Sequence, residues 1–198
     1  MLGVTGMIGS GKSTAVQILQ NLGALKISSD ELARKYTDPN SPVQSELVQM
    51  FGSDILDSSG NLDRKQIAKL VFPNPDLLKS FNALVHPKIR KDFLDFRDKA
   101  PKGSVLAWEA PLLFEAKGDE LCNATLFIDI PLDSAWKNVE KRGGMDRKDW
   151  EFRIASQMSR EEKKSRADFT ILNDTDIENL QNKLKRLFAE ILSHRRNS

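Results

Sequence analysis

The sequence predicts a three-layer α/β fold built on a five-stranded parallel sheet. Three observations predict it. Short apolar runs alternate with helical patterns along the chain. The runs at 104–109 and 124–130 are apolar almost throughout, as strands covered by helices on both faces must be. The first strand leads directly into a glycine-rich loop and a helix. Strands and helices in this order give a layered α/β architecture with right-handed crossovers.

Leu2-Gly3-Val4-Thr5 reads as the first strand. It opens into Gly6-Met7-Ile8-Gly9-Ser10-Gly11-Lys12-Ser13-Thr14, which fits the P-loop pattern G-x-x-x-x-G-K-[ST], and a helix is predicted over 12–22. Glycine has no Cβ to block a phosphate from the backbone. Successive N–H groups at a helix N-terminus form an anion nest. Gly6, Gly9, Ser10, Gly11, Lys12, Ser13 and Thr14 are therefore the candidate residues for binding a nucleoside triphosphate. Lys12 is placed to reach the β- and γ-phosphates, and the Ser13 hydroxyl to hold Mg²⁺. The motif leaves the acceptor open.

A second strand is predicted over 24–28, followed by Ser29-Asp30-Glu31 at the start of a helix. Ser28 and Glu31 have capping-box spacing. Asp30 has two readings. It is an acid in a first helical turn, where the dipole favours it, or a functional carboxylate beside the loop at the sheet edge where ligands bind. From 43 to 100 the pattern is helical, with no convincing strand. Val43, Leu47, Val48 and Phe51 make one apolar stripe, and Asp63 is placed to cap a helix ending at Phe72. Apolar residues recur at helical spacing over 76–99, where Pro87 is expected to kink or split the helix. So long a helical run exceeds an ordinary crossover, so 29–100 reads as an inserted subdomain for the second substrate. His86 within it is either a structural histidine or a substrate contact.

The third strand, 104–109, runs into Ala110-Pro111-Leu112-Leu113-Phe114-Glu115. Glu115 either bonds substrate or caps this segment. The fourth strand, 124–130, carries Asp129 near its end. Asp129 loosely resembles a Walker-B acid, though capping the turn before Pro131 is the simpler role. Lys and Arg outnumber Asp and Glu between 137 and 166. This is either a solvated helical face or a mobile lid, 133–166, that sets arginines on the transferring phosphates. Arg142 and Arg153 are its candidates; each has the alternative of a surface ion pair. Ser159 and Glu162 form a second capping box, 168–172 is the fifth strand, and Thr175-Asp176-Ile177-Glu178 caps a final packing helix.

Composition narrows the classes. The chain has 198 residues, 39% hydrophobic and 29% charged, in the range of a soluble globular domain. A net charge of +2 is too small to argue for a nucleic-acid surface. No apolar run is long enough to cross a membrane, and the opening strand leaves no room for a signal peptide. Cys122 is the only cysteine, reads as a small buried residue, and fits a reduced, cytoplasmic setting. Two histidines and one cysteine give no metal-site spacing. Small-molecule partners are expected, with the chain a monomer or weak homo-oligomer.

Further motifs add specificity to the P-loop: Phe51-Gly52, Gly60-Asn61-Leu62-Asp63-Arg64, His86-Pro87, Pro111-Leu112-Leu113-Phe114-Glu115, Arg153 with Gln157, and Ala167-Asp168 with Asn173. In this order, over nearly the whole chain, they resemble the dephospho-CoA kinase family. The resemblance implies transfer of the ATP γ-phosphoryl group to the ribose 3′-hydroxyl of dephospho-CoA, with Mg²⁺. It implies a P-loop kinase core (1–28, 101–132 and 167–198), a CoA-binding helical subdomain (29–100) and a lid (133–166). Lys12, Asp30 and Arg142 are then catalytic; Asp30, His86 and Glu115 contact the acceptor; and Arg142 and Arg153 contact ATP. Two departures stand out. The family usually carries Asp-x-Asp after the second strand, where this chain has Ser28 and Asp30. Its lid helix usually carries a Gln and two arginines, where this chain has Ala135, Asn138 and Arg142. Two other readings stay open: a kinase for another small alcohol or nucleotide, and a catalytically impaired nucleotide-binding paralogue.

Overall fold

Five parallel strands organise one of the two units into which the chain divides, 1–28 with 101–198; the other unit is 29–100. The computed structural model describes residues 1–71 and 73–196. The strands are β1 (Leu2–Thr5), β2 (Leu25–Ser28), β3 (Leu106–Glu109), β4 (Ala124–Asp129) and β5 (Phe169–Leu172), in the order β2-β3-β1-β4-β5. Because all run parallel, their C-terminal ends share one edge, with β1 at the centre. The register sets Glu109 beside Val4 on one side and Ser28 on the other. The expected second strand starts one residue early. The Ala24 amide still bonds the Leu19 carbonyl at 3.0 Å, closing the preceding helix, and the ladder begins with the Leu25 amide on Val105.

Helix α1 (Lys12–Asn21) buries Ala15, Val16 and Leu19 in the sheet core with Leu2, Val4, Leu126 and Ile128. The C-terminal helix Ile177–Arg196 adds Leu180, Leu184 and Phe188 to the same cluster. Its first turn is capped by Asp176, which accepts from the Asn179 amide at 2.8 Å. Three further helices follow β4: Leu132–Arg142, Arg147–Ala155 and Arg160–Arg166. The last begins with the Ser159–Glu162 capping box. Among the described residues no helix is long and apolar enough to cross a membrane.

The 29–100 unit contains α2 (Ser29–Arg34), α3 (Gln44–Phe51), α4 (Arg64–Val71) and α5 (Pro75–Lys99). The helices after it are α6 (Leu132–Arg142), α7 (Arg147–Ala155), α8 (Arg160–Arg166) and α9 (Ile177–Arg196). The unit has its own core of Tyr36, Val43, Leu47, Ile55, Leu62, Ile67, Val71 and Val85. Its only extended pairing among the described residues is an isolated bridge between Leu56 and Leu62. Asp63 caps α4, accepting from the Lys65 and Gln66 amides at 2.7 and 3.3 Å; Phe72, its expected end, lies outside the described residues. Pro87 does not split α5, which is a single helix. Proline removes one amide from the ladder, yet Val85 before it and Phe93 after it are both buried, so packing anchors the helix on both sides of Pro87.

One buried polar contact in this unit is directly measurable. The Tyr36 hydroxyl donates to Asp92 Oδ2 at 2.8 Å, and Lys35 pairs with the same oxygen. Burial, then the Asp92 hydrogen bond and charge, push the Tyr36 phenol from 10.0 up to about 12. Burial alone would raise the Asp92 carboxyl, but the Lys35 and Tyr36 hydrogen bonds and the lysine charge hold it low. A raised folded pKa stabilises the fold fully below pH 10.0, and that contribution is lost as pH rises through about 12. Tyr36 is the only tyrosine, so an ultraviolet difference titration reads it alone. The native phenol is expected to titrate near 12, and Asp92→Asn to lower that value. Titration of the folded protein at the value of the unfolded chain would contradict the buried contact.

Candidate active site

The loop between β1 and α1 wraps the N-terminus of α1 with backbone alone. Gly11 occupies the N-cap position at φ 89°, and no side chain caps the first turn. That leaves a helix N-terminus for an anion. Two glycines in the loop have left-handed backbone, and Gly9 also lies against backbone. A Cβ on Gly9 (φ 91°) would lie 2.2 Å from the Ala135 carbonyl oxygen, and one on Gly11 would lie 2.5 Å from Asn173 Nδ2. The Asn173 amide bonds the Ser10 carbonyl at 2.9 Å, tying the loop to the segment after β5. Lys12 is buried, and its Nζ lies 3.0 Å from the Met7 carbonyl, across the mouth of the loop.

Ser13 donates its hydroxyl to Glu109 Oε1. Glu109 is buried at the C-terminal end of β3, beside β1. Sequence reading missed this carboxylate and weighed Asp129 in its place. Both acids end an apolar strand, and β3 and β4 both flank β1, so only the spatial arrangement separates them. Asp129 neither meets the loop serine nor caps the following turn. Its carboxylate takes a bidentate bond from Arg160, with Nε–Oδ1 at 2.6 Å and Nη2–Oδ2 at 3.0 Å, and a third from Lys164 at 3.3 Å. At 2% side-chain exposure such a carboxylate needs its partners.

Pairing divides the basic run of 137–166 into two groups. In α8, Arg160 and Lys164 are held by Asp129, Lys163 by Glu115 and Arg166 by Asp119. Lys163 is fully buried, with Nζ 2.9 Å from Glu115 Oε1 and 2.8 Å from the Pro111 carbonyl. The Met158 amide also donates to Glu115 Oε1, at 2.9 Å. Glu115 therefore anchors α8 to the segment after β3. Arg142 and Arg153 are both exposed, and neither guanidinium has a carboxylate partner among the described residues.

The remaining candidates stand on the helical unit. Asp30 is exposed in the first turn of α2, two residues after Ser28 ends β2. His86 is exposed on α5 rather than packed in its core. Cys122 donates weakly to the Gly118 carbonyl, and burial pushes its thiol up to about 11, which removes it as a nucleophile at neutral pH. Among the described residues no group of three or more His, Cys, Asp or Glu side chains could hold a metal ion. A magnesium ion carried by ATP needs no such cage, since it keeps water and phosphate ligands and takes few from protein.

Known proteins resemble this chain along nearly its full length. Residues 1–179 match the family model described as dephospho-CoA kinase. A dephospho-CoA kinase of Leptospira interrogans is 41% identical over 192 residues, 97% of this chain and 93% of that protein. One from Fusobacterium nucleatum is 33% identical, covering 97% of this chain and 98% of its own. Among solved structures, a Thermus thermophilus protein superposes with a TM-score of 0.83 at 33% identity, over 96% of both chains. Dephospho-CoA kinase from Campylobacter jejuni superposes with a TM-score of 0.68 at 28% identity, over 96% of both. Shikimate kinase from Aquifex aeolicus, at 16% identity and a TM-score of 0.52, shares the fold alone. With the P-loop, the sheet order and these full-length matches in agreement, the chain belongs to the dephospho-CoA kinase family.

Proposed function

We propose that this chain transfers the γ-phosphoryl group of ATP to the ribose 3′-hydroxyl of dephospho-CoA, giving coenzyme A and ADP in the last step of coenzyme A synthesis. The observation that carries the reading is the P-loop on the uncapped N-terminus of α1, with the Ser13 hydroxyl set against the Glu109 carboxylate. Loop amides receive the phosphate chain. Lys12 turns from the Met7 carbonyl to the β- and γ-phosphates. Arg142 and Arg153, whose guanidiniums have no carboxylate partner among the described residues, meet the oxygens of the transferring group, which suit their fork of donors.

Both side chains of the Ser13–Glu109 pair present oxygen, and oxygen ligands suit a hard cation. Ser13 and Glu109 would hold Mg²⁺, which when bound offsets charge on the β- and γ-phosphates. The transfer is in line: the 3′-oxygen bonds to the γ-phosphorus as the bond to the β,γ-bridging oxygen breaks. Asp30 orients the 3′-hydroxyl and accepts its proton. Unit 29–100 binds the acceptor through Asp30 and His86; Glu115 we assign to holding α8. The reaction belongs to the cytoplasm, with the chain a monomer or weak homo-oligomer.

ADP release from Mg-ATP is the test, run with and without dephospho-CoA and beside a panel of other alcohols. Release that depends on dephospho-CoA is expected. Tight ATP binding with no turnover on any acceptor, or preference for another alcohol, would overturn the assignment. In the same assay Glu109→Gln, an isosteric change, is expected to raise the Mg²⁺ needed for half-maximal rate by about 10–100-fold, the usual cost of losing a carboxylate that orients a metal ligand. An unchanged Mg²⁺ dependence would remove Glu109 from the metal site.

A further inference from the structure

Four consecutive carbonyls of the P-loop each accept a hydrogen bond from a different side chain. Lys12 Nζ bonds Met7 at 3.0 Å, Trp150 Nε1 bonds Ile8 at 3.3 Å, Asn138 Nδ2 bonds Gly9 at 2.9 Å, and Asn173 Nδ2 bonds Ser10 at 2.9 Å. The two middle donors come from α7 and α6, in the stretch whose basic composition suggested a moving lid. Neither residue is part of the motif, and neither is used in the phosphoryl-transfer scheme above.

The contact is built, with backbone and apolar packing behind it. Gly9 lies so close to α6 that a Cβ would sit 2.2 Å from the Ala135 carbonyl oxygen. The Ile8 side chain packs into the apolar cluster of Ile130, Ala135, Val139 and Trp150 while its carbonyl takes the indole N–H. Trp150 is itself fixed. Its ring centroid is 5.6 Å from that of Trp136, and the Arg147 guanidinium lies over both rings at 5.4 and 5.8 Å, held by Glu151 at 2.8 Å.

The consequence follows from peptide geometry. No peptide bond here is cis, and in a trans peptide the N–H points opposite to the C=O. Holding the Ile8 and Ser10 carbonyls fixes the direction of the Gly9 and Gly11 amides, away from Trp150 and Asn173. The Gly9–Ser10 peptide is pinned at both ends, its carbonyl by Asn138 and its amide by the Met7 carbonyl at 3.0 Å. Amides already aimed cost no reorganisation when an anion arrives.

We propose that Asn138 and Trp150 are positioning residues for ATP: by bonding the Gly9 and Ile8 carbonyls, they hold the loop in the shape that keeps the Gly9 and Gly11 amides aimed at a phosphate. The proposal rests on the P-loop binding ATP and is independent of the acceptor. Asn138→Leu and Trp150→Phe test it, since each keeps most of the side-chain volume and removes only the donor. The readouts are the Kd of a fluorescent ATP analogue, hydrogen–deuterium exchange of the nucleotide-free loop, KM for each substrate, and Tm. Each variant is expected to weaken ATP binding and raise its KM by about two- to tenfold, the net worth of one hydrogen bond. Exchange of residues 8–11 is expected to quicken, with KM for dephospho-CoA unchanged and Tm moved by no more than about 4 °C. Unchanged ATP affinity and exchange in both variants would overturn the proposal. So would a large fall in Tm together with a rise in both KM values, which marks a merely structural role. Native chain that binds no ATP would instead sink the loop reading and this proposal with it.

Discussion

Replacing Lys12 by alanine is expected to lower kcat for ADP formation by about 10²–10³-fold, the usual cost of removing one donor aimed at developing transition-state charge. The effect should fall on kcat more than on KM for ATP, because charge on the γ-phosphoryl oxygens and the bridging oxygen is redistributed in the transfer step. Lys12 is buried with its Nζ on the Met7 carbonyl, so the substitution also frees one end of the loop. Lys12→Met keeps the buried aliphatic stem and loses only the ammonium with its Met7 bond, so it separates lost packing from lost charge. If the methionine variant forms ADP at the native rate, the Lys12 ammonium has no part in transfer. A low rate in both variants, with Tm maintained in Lys12→Met, assigns the loss to the ammonium.

The second large effect is expected at Asp30. Asp30→Asn should lower kcat by about 10²–10⁴-fold, the range for losing a general base, while KM for ATP stays near its native value. Phosphoryl transfer passes through a loose transition state, so deprotonation of the hydroxyl need not be far advanced; a loss at the lower end would mean that Asp30 mainly orients it. Ser28 closes β2 opposite Glu109 and is buried. Its hydroxyl cannot serve as a base at neutral pH unaided. Turnover by the native chain would therefore show that one carboxylate suffices where the family pattern has two, and Ser28→Asp should leave acceptor-dependent turnover in place. No native turnover, with activity appearing in Ser28→Asp, would reverse the assignment and make the chain a kinase scaffold disabled at that position.

Lid-helix departures from the family pattern take on a different meaning in three dimensions. By sequence alone, Ala135 and Asn138 look like the loss of a glutamine and an arginine. In the structure the Ala135 carbonyl meets Gly9 and the Asn138 amide bonds the Gly9 carbonyl. The basic run divides in a similar way. Arg160, Lys163, Lys164 and Arg166 are bound to carboxylates on other segments. Their helix is stitched to the core, whereas Arg142 and Arg153 have no carboxylate partner among the described residues. Composition counted these cations together because charge along a chain says nothing of which carboxylates fold against it. Asp129 and Glu109 show the same limit: two acids at two strand ends, one taken by Arg160 and the other by Ser13.

The sequence by itself determined the phosphate chemistry of the opening loop, the five strands and the long helical stretch between the second and third. Those signals are local: glycine and lysine spacing within nine residues, apolar runs four to six residues long, and helical periodicity. Tertiary structure alone decided that Glu109 meets Ser13, that α8 is neutralised, and that α6 and α7 hold the loop from outside. Each of these contacts joins residues that strand order or helix packing brings together from distant parts of the chain. A side-chain donor on a backbone carbonyl leaves no pattern in composition or periodicity, because any residue can supply the carbonyl.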